Sequence, residues 1–344
     1  MKNTIRLLSI LGIAATIVSG CSNKDSRISV IFDTDANNEL DDQHAIAYML
    51  MNPETFNVLG ITTNATYAGG PIALHSEEAG RIVALSGRYG EGIEVIDGAD
   101  GIYEEILPHI SEREFDGSKA VDFIIDNARN FSPENKLTLI AVGKLTNEAL
   151  ALAKAPEIAR NLRIVWLGTN YPEKGEYNLE GDIPSMNAIL DADVEFEIAT
   201  VRYGMDSPEG TDKVIVTEEE VIEHFAGKGP QVSPVAGRHG GEFTCFGDYS
   251  VDLFRHITHN YGGRALYDMA TVAIVKNPEW AESLSIPAPT MIDSSWVERP
   301  DNSRHILLWE NFDRDAIINY TVDEHGLLAD TLFVTRVHYD VLDD

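Results

Sequence analysis

Seven short apolar runs alternate with stretches of helical spacing along most of this chain, and that alternation constrains the fold more than any single motif. Ile28 to Phe32, Val58 to Thr62, Ile93 to Ile96, Leu137 to Val142, Arg163 to Leu167, Phe196 to Arg202 and Val214 to Val216 are rich in β-branched and apolar residues, as buried strands are. Between them, Leu40 to Met51, Pro71 to Leu85, Lys119 to Asn130 and Thr146 to Ala153 read as helices. Pro71 suits a helix start and Gly87 a helix end. Thr217-Glu218-Glu219-Glu220 has the form of a capping box that opens another helix. Strands alternating with helices predict an α/β domain with a mostly parallel central sheet flanked by helices on both faces. Ligands of such sheets sit beyond the carboxyl ends of the strands, which places Asp33 to Asp42 and the residues after Val142 and Leu167 on one rim. No Gly/Ser-rich linker, heptad run or repeat interrupts 28–344, so it reads as one domain. Its tail from Ser283 is expected to add a small C-terminal β appendage from Ile306 to Trp309 and Thr331 to Val337.

The first 21 residues have a different character. Lys2 and Arg6 precede the apolar stretch Leu7 to Val18, which is too short for a comfortable membrane span, and Val18-Ser19-Gly20-Cys21 resembles a bacterial lipobox. The expectation is a lipoprotein signal peptide over 1–21 with Cys21 as the lipid attachment point and a polar tether over 22–27. That predicts a bacterial cell-envelope location, with the membrane contacted through the lipid alone. Cys245 then has no intramolecular partner, so a disulfide framework is excluded and the thiol reads as a small packed side chain. The 56 acidic residues against 26 basic ones give a net charge of −30, which repels phosphate polymers, excludes nucleic acid as a partner and attracts divalent cations. Most of these carboxylates are a solvated surface. A homo-oligomer is compatible with the composition, which does not decide it.

One acidic group stands apart. Asp33, Asp35, Asp41 and Asp42 fall where the first strand gives way to a helix. Carboxylates this close raise one another's pKa and destabilise the loop unless a cation compensates them. Oxygen donors without neighbouring His or Cys point to Ca²⁺ or Mg²⁺, and since the spacing is not that of an EF-hand, other parts of the chain must complete the shell.

With these residues in view, the chain resembles the inosine-uridine-preferring nucleoside hydrolases, which begin with a strand followed by D-x-D-x-x-x-D-D. Leu59-Gly60-Ile61-Thr62-Thr63, Gly143-Lys144-Leu145-Thr146-Asn147, Asn178 with Asn187, and Tyr267-Asp268 extend the likeness over about Ile28 to Glu279. The resemblance implies a Rossmann-like open sheet and hydrolysis of the N-glycosidic bond of ribonucleosides with Ca²⁺ as cofactor. It makes Asp35 a metal ligand and the base that takes a proton from water, with Asp42, the Val142 carbonyl and Asp268 as further ligands. Asp41, Asn178 and Asn187 become ribose contacts, and Asp33 an orienting partner of the ligands.

The departures are specific. Five residues, Ala36 to Leu40, separate Asp35 from Asp41 where the signature has three, so Asn38 and Glu39 become candidates to enter the site. Asn64 is a displaced candidate for a sugar contact. Ser185 stands where a glutamate is usual, with Glu180 and Asp182 as candidates to cover its role. Tyr267 replaces a histidine that is a candidate acid for the departing base, and tyrosine is the weaker proton source at neutral pH. His239, His256 and His259 are substitute candidates for that acid, and Tyr67, Trp166, Tyr171 and Tyr177 for stacking on the base. Rival readings remain: a Mg²⁺-dependent phosphohydrolase of the haloacid-dehalogenase type, a non-catalytic, metal-dependent nucleoside- or sugar-binding lipoprotein, and a hydrolase of the same scaffold acting on another ribosyl compound or glycoside.

Overall fold

The apolar runs pair into one sheet in a computed structural model that describes residues 26–256, 263–292 and 294–318. Its strands are β1 (Ile28–Thr34), β2 (Phe56–Thr63), β3 (Val95–Ile96), β4 (Leu137–Ala141), β5 (Leu162–Gly168), β6 (Glu195–Thr200), β7 (Glu282–Pro287) and β8 (His305–Glu310). They lie in the order β7-β8-β6-β5-β4-β1-β2-β3, with every neighbouring pair parallel except β7 with β8. The chain runs outward from β1 to β2 and β3 on one side, then returns to β4, β5 and β6 on the other. This reversal opens a crevice between the carboxyl ends of β1 and β4, the position where open parallel sheets bind ligands.

Among the described residues the helices that flank the sheet include α1 (Asp41–Leu50), α2 (Ile72–Leu85), α3 (Ser118–Ala128), α4 (Thr146–Lys154), α5 (Tyr177–Gly181), α6 (Ile183–Asp191), α7 (Glu218–Phe225), α8 (Phe246–His256) and α9 (Tyr267–Lys276). Side chains alternate across β1, so Val30 and Phe32 join the core beneath α1, α2 and α9, while Ile31 joins the opposite core with α3, α4 and α6. Every residue of α1 is buried, its acidic first turn included. The capping box of α7 forms as expected: Glu220 N donates to Thr217 Oγ1 (3.1 Å) and Thr217 N to Glu220 Oε2 (2.8 Å).

Two expectations change. The run at Val214 to Val216 contributes only Ile215–Val216, which pairs antiparallel with Arg264–Ala265 outside the main sheet. Two residues are too few to span the sheet, and the short ladder instead holds the segment that leads into α9, with Leu266 N donating to the Val214 carbonyl (2.9 Å). At the C-terminal end, Thr290–Ile292 and Ser295–Val297 form the small antiparallel element. The strand at Ile306 to Trp309 goes further, because apolar side chains on both its faces let it pair with β6 inside the main sheet. The expected signal peptide with Cys21, His259 and the expected strand Thr331 to Val337 lie outside the described residues. Among the described residues, no helix is long and apolar enough to cross a membrane.

Candidate active site

The carboxyl end of β1 delivers two aspartates into different surroundings. Asp33, buried within the sheet, takes hydrogen bonds from Thr62 Oγ1 (2.6 Å), Asn64 Nδ2 (2.6 Å) and Asn147 Nδ2 (2.7 Å). Burial raises its pKa to about 6, against the three hydrogen bonds that favour the ionised form. Gly143 allows this close packing, since a Cβ there would meet the Asn64 side chain at 2.5 Å. Asp35 faces a cavity instead and accepts from Thr66 Oγ1 (2.6 Å), whose hydroxyl in turn accepts from Tyr177 (2.9 Å).

The loop Ala36 to Leu40 then turns the chain into α1. Asn38 N donates to the Asp35 carbonyl (2.9 Å), Gln43 Nε2 donates to the Ala36 carbonyl (2.7 Å), and Asp41 and Asp42 open the helix. Far along the chain, Asp268 sits in the first turn of α9, which packs beside α1 with its N-terminus at the same place. Asp41 receives the backbone N–H of Asp268 as well as amides of its own turn, so two helix N-termini converge on the group. Carboxylate oxygens of Asp41, Asp42 and Asp268 lie within 4.8 Å of one another, and Asp42 also accepts from Thr34 Oγ1. Burial and then mutual repulsion raise these groups: Asp41 to about 7, Asp42 and Asp268 well above the ordinary carboxylate range. Asp35 is raised too, by burial. A doubly charged cation would relieve the repulsion that protons relieve otherwise, so an all-oxygen set of this kind fits a hard divalent ion.

The cavity holds about 340 Å³, within the range of small-molecule sites at roughly 300–1,000 Å³. Its walls include Asp35, Asp41, Asp42 and Asp268 together with Val142, Asn178 and Tyr267, so most of the expected site is brought together. Asn178 Nδ2 donates to the carbonyls of Val142 (2.9 Å) and Leu167 (3.1 Å), which ties the ends of β4 and β5 to α5. Tyr267 is pushed up by burial and stays protonated at neutral pH, with the Arg264 guanidinium 5.5 Å from its ring centroid.

A family model described as "Inosine-uridine preferring nucleoside hydrolase" matches residues 30–325. The chain belongs to this family. An uncharacterized protein of Schizosaccharomyces pombe is 31% identical over 189 residues, covering 48% of this chain and 59% of its own length. A probable uridine nucleosidase of Oryza sativa subsp. japonica is 26% identical over 233 residues, covering 61% of this chain and 67% of its own length. Among solved structures, a purine-preferring ribonucleoside hydrolase from Gardnerella vaginalis superposes with a TM-score of 0.63 at 21% identity, covering 91% of this chain and 99% of that one. An inosine-uridine preferring nucleoside hydrolase from Bacillus anthracis gives 0.60 at 18%, covering 84% and 96%. At these identities the structural likeness shows the fold. A haloacid-dehalogenase assignment finds no support in this membership.

Within this nucleoside hydrolase fold, several expected site residues lie elsewhere. Asn187 does not line the cavity; it donates to the Met291 carbonyl (3.0 Å) and accepts from Met291 N (2.9 Å) and Thr290 Oγ1 (3.1 Å), fastening α6 to the C-terminal ladder. Asn64 is occupied in holding Asp33 and is wholly buried. Asp182 caps α6 through Ser185 N (3.1 Å) and accepts from Thr146 Oγ1, and neither it nor Glu180 reaches the cavity wall. Of the four aromatics, only Tyr177 lines the cavity: Trp166 is buried in the core, Tyr171 bonds Glu298 (2.6 Å), and Tyr67 is exposed with its ring against Tyr177. His239 and His256 lie outside it, and no histidine lines it among the described residues.

Other residues, two of them expected and two not, take those places. The longer loop does bring Asn38 and Glu39 to the wall, Glu39 in contact with Arg264. Asn170 and Glu176 line it from the segment between β5 and α5. Glu176 adopts φ +118, unfavourable for a side-chain-bearing residue, and is held there by N–H groups of Thr169 (2.8 Å), Asn178 (2.9 Å) and Leu179 (3.0 Å). Burial raises its pKa to about 7. Asn-x₅-Glu-x-Asn over Asn170, Glu176 and Asn178 is a compact polar pattern after a strand, and it was the available signal.

Proposed function

We propose that this chain hydrolyses the N-glycosidic bond of ribonucleosides to free base and ribose. The observation that carries the reading is the convergence of Asp35, Asp41 and Asp42 with Asp268, more than 200 residues away in the chain, on one cavity. Asp35, Asp42, Asp268 and the Val142 carbonyl would hold the metal, Ca²⁺ by its preference for many oxygen donors. Bound there, the ion supplies Lewis-acid polarisation to water and to vicinal sugar hydroxyls.

The chain's own groups perform the remaining tasks. Asp35 accepts the proton of the attacking water, with Thr66 fixing one of its oxygens and leaving the other for that role. Asp41 and Asn178 face the ribose, and the carboxylates around it stabilise the positive charge that the sugar gains as its bond to the base breaks. Tyr267, protonated, donates a hydrogen bond toward the departing base without transferring its proton readily. The protein works in the cell envelope, anchored through lipid on Cys21.

The test is incubation with a panel of purine and pyrimidine ribonucleosides plus Ca²⁺, with and without chelator, following base and ribose. Chelator-sensitive release that disappears in Asp35→Ala supports the reading, and wild-type turnover by Asp35→Ala overturns it. A non-catalytic, metal-dependent binding protein is the second reading, favoured by the absence of a histidine from the described cavity wall and by the high pKa of Tyr267. Ca²⁺-dependent riboside binding without base release would establish that alternative.

A further inference from the structure

Two of the histidines outside the cavity, His239 and His256, form a cluster of their own. His239 occupies the tip of the hairpin whose ladder pairs Val235–Ala236 with Glu242–Phe243, and Asp252 and His256 lie one turn apart on α8. One donor atom from each of the three can be chosen so that all lie within 4.8 Å of one another. The two imidazole rings face each other at 4.2 Å between centroids. His256 Nδ1 is 2.8 Å from the Asp252 carbonyl, which assigns the proton to Nδ1 and leaves the Nε2 lone pair free. This carbonyl–imidazole arrangement is the one that orients histidine ligands in metal centres. Asp252 Oδ2 is shielded from solvent and has no hydrogen-bond partner. It lies 3.9 Å from His239 Nδ1.

We propose that His239, Asp252 and His256 form a second metal site, selective for a borderline-soft transition ion, Zn²⁺ first. Two imidazoles and one carboxylate, with bonds of about 2.0–2.2 Å, make a zinc set that leaves the fourth position to solvent. The carboxylate cluster, which has no nitrogen donor, favours the harder ion, so the two sites sort by donor chemistry. Ligation also reaches toward the catalytic cavity. Arg238, next to His239, donates to the Glu39 carbonyl, and Glu39 lines that cavity. A metal on His239 fixes the hairpin tip that carries this bond.

The test is equilibrium Zn²⁺ binding by the full chain saturated with Ca²⁺, in competition with a chromophoric chelator, with Co²⁺ as a spectroscopic probe. The expected result is one Zn²⁺ per chain, retained in Asp42→Asn and weakened at least tenfold in both His239→Ala and His256→Ala. Co²⁺ should give the visible bands of a low-coordinate nitrogen-containing site. Unchanged Zn²⁺ affinity in both histidine variants overturns the proposal, as does binding that vanishes in Asp42→Asn alone. Should a histidine variant misfold, absence of the Co²⁺ bands from the wild-type chain overturns it as well. Nucleoside turnover enters none of these readouts, so failure here leaves the hydrolase reading standing.

Discussion

Asp33 and the trio Asp41, Asp42 and Asp268 are all buried carboxylates at the same end of the sheet, yet their neighbours differ in kind. Three side-chain donors from Thr62, Asn64 and Asn147 surround Asp33. The trio faces chiefly other carboxylates, with Thr34 and two helix N-termini as partial relief. The first arrangement is complete and acts as scaffold. The second is electrostatically incomplete and becomes stable only with added positive charge. Satisfaction of hydrogen bonds, rather than burial or charge, separates Asp33 from the trio proposed to hold the metal.

Asp268→Ala should break this contrast most severely. Turnover of ribonucleosides is expected to fall by about 10³-fold or more and Ca²⁺ affinity by at least tenfold, because a proposed ligand is lost. In chelator the same variant should unfold at a temperature equal to or above that of the parent, since one repelling carboxylate has gone; thermal unfolding with and without Ca²⁺ measures both signs. Asp33→Ala should do the reverse and destabilise the protein by about 3 kcal/mol in urea unfolding whether or not Ca²⁺ is present, because three buried donors lose their acceptor.

Glu176 sharpens the comparison through pH. Its folded pKa of about 7 lies above the ordinary 4.5, so the folded protein retains a proton that the unfolded chain has released. The group's contribution is therefore full below pH ~4.5 and is lost as pH rises through about 7, a change on the order of 3 kcal/mol. Metal-free protein should lose stability over that window, and Glu176→Gln should flatten the slope in urea unfolding between pH 5 and 8. The smallest effect belongs to Asn187→Ala, which should cost about 1–2 kcal/mol of stability through the α6 contact and leave KM for nucleoside unchanged. A raised KM there would return Asn187 to the site.

Much of the fold was legible because buried parallel strands are apolar on both faces and leave continuous runs, as at Ile28 to Phe32 and Leu137 to Val142. The acidic half of the site was legible for a related reason: Asp35, Asp41 and Asp42 are crowded where no ordinary strand end needs them. Spacing failed at the asparagines. Asn178 and Asn187 flank a helix junction, and only the packing shows that the first turns toward the Val142 carbonyl and the second toward Met291. Glu176 is not legible in the sequence because its place on the cavity wall depends on a backbone conformation that residue type does not disclose.

By itself the sequence determined the alternating α/β architecture, the carboxylates at the end of β1 and the pairing of Thr217 with Glu220, since hydrophobic period, charge crowding and helix capping are all local. Tertiary structure alone decided that β8 joins the sheet and that His239 lies beside His256 rather than in the cavity, and it is packing that brings Asp268, matched to the site only by family resemblance, against Asp41 and Asp42. Those facts depend on which elements pack together and in what register. A chain carries no local record of contacts closed across more than 200 residues.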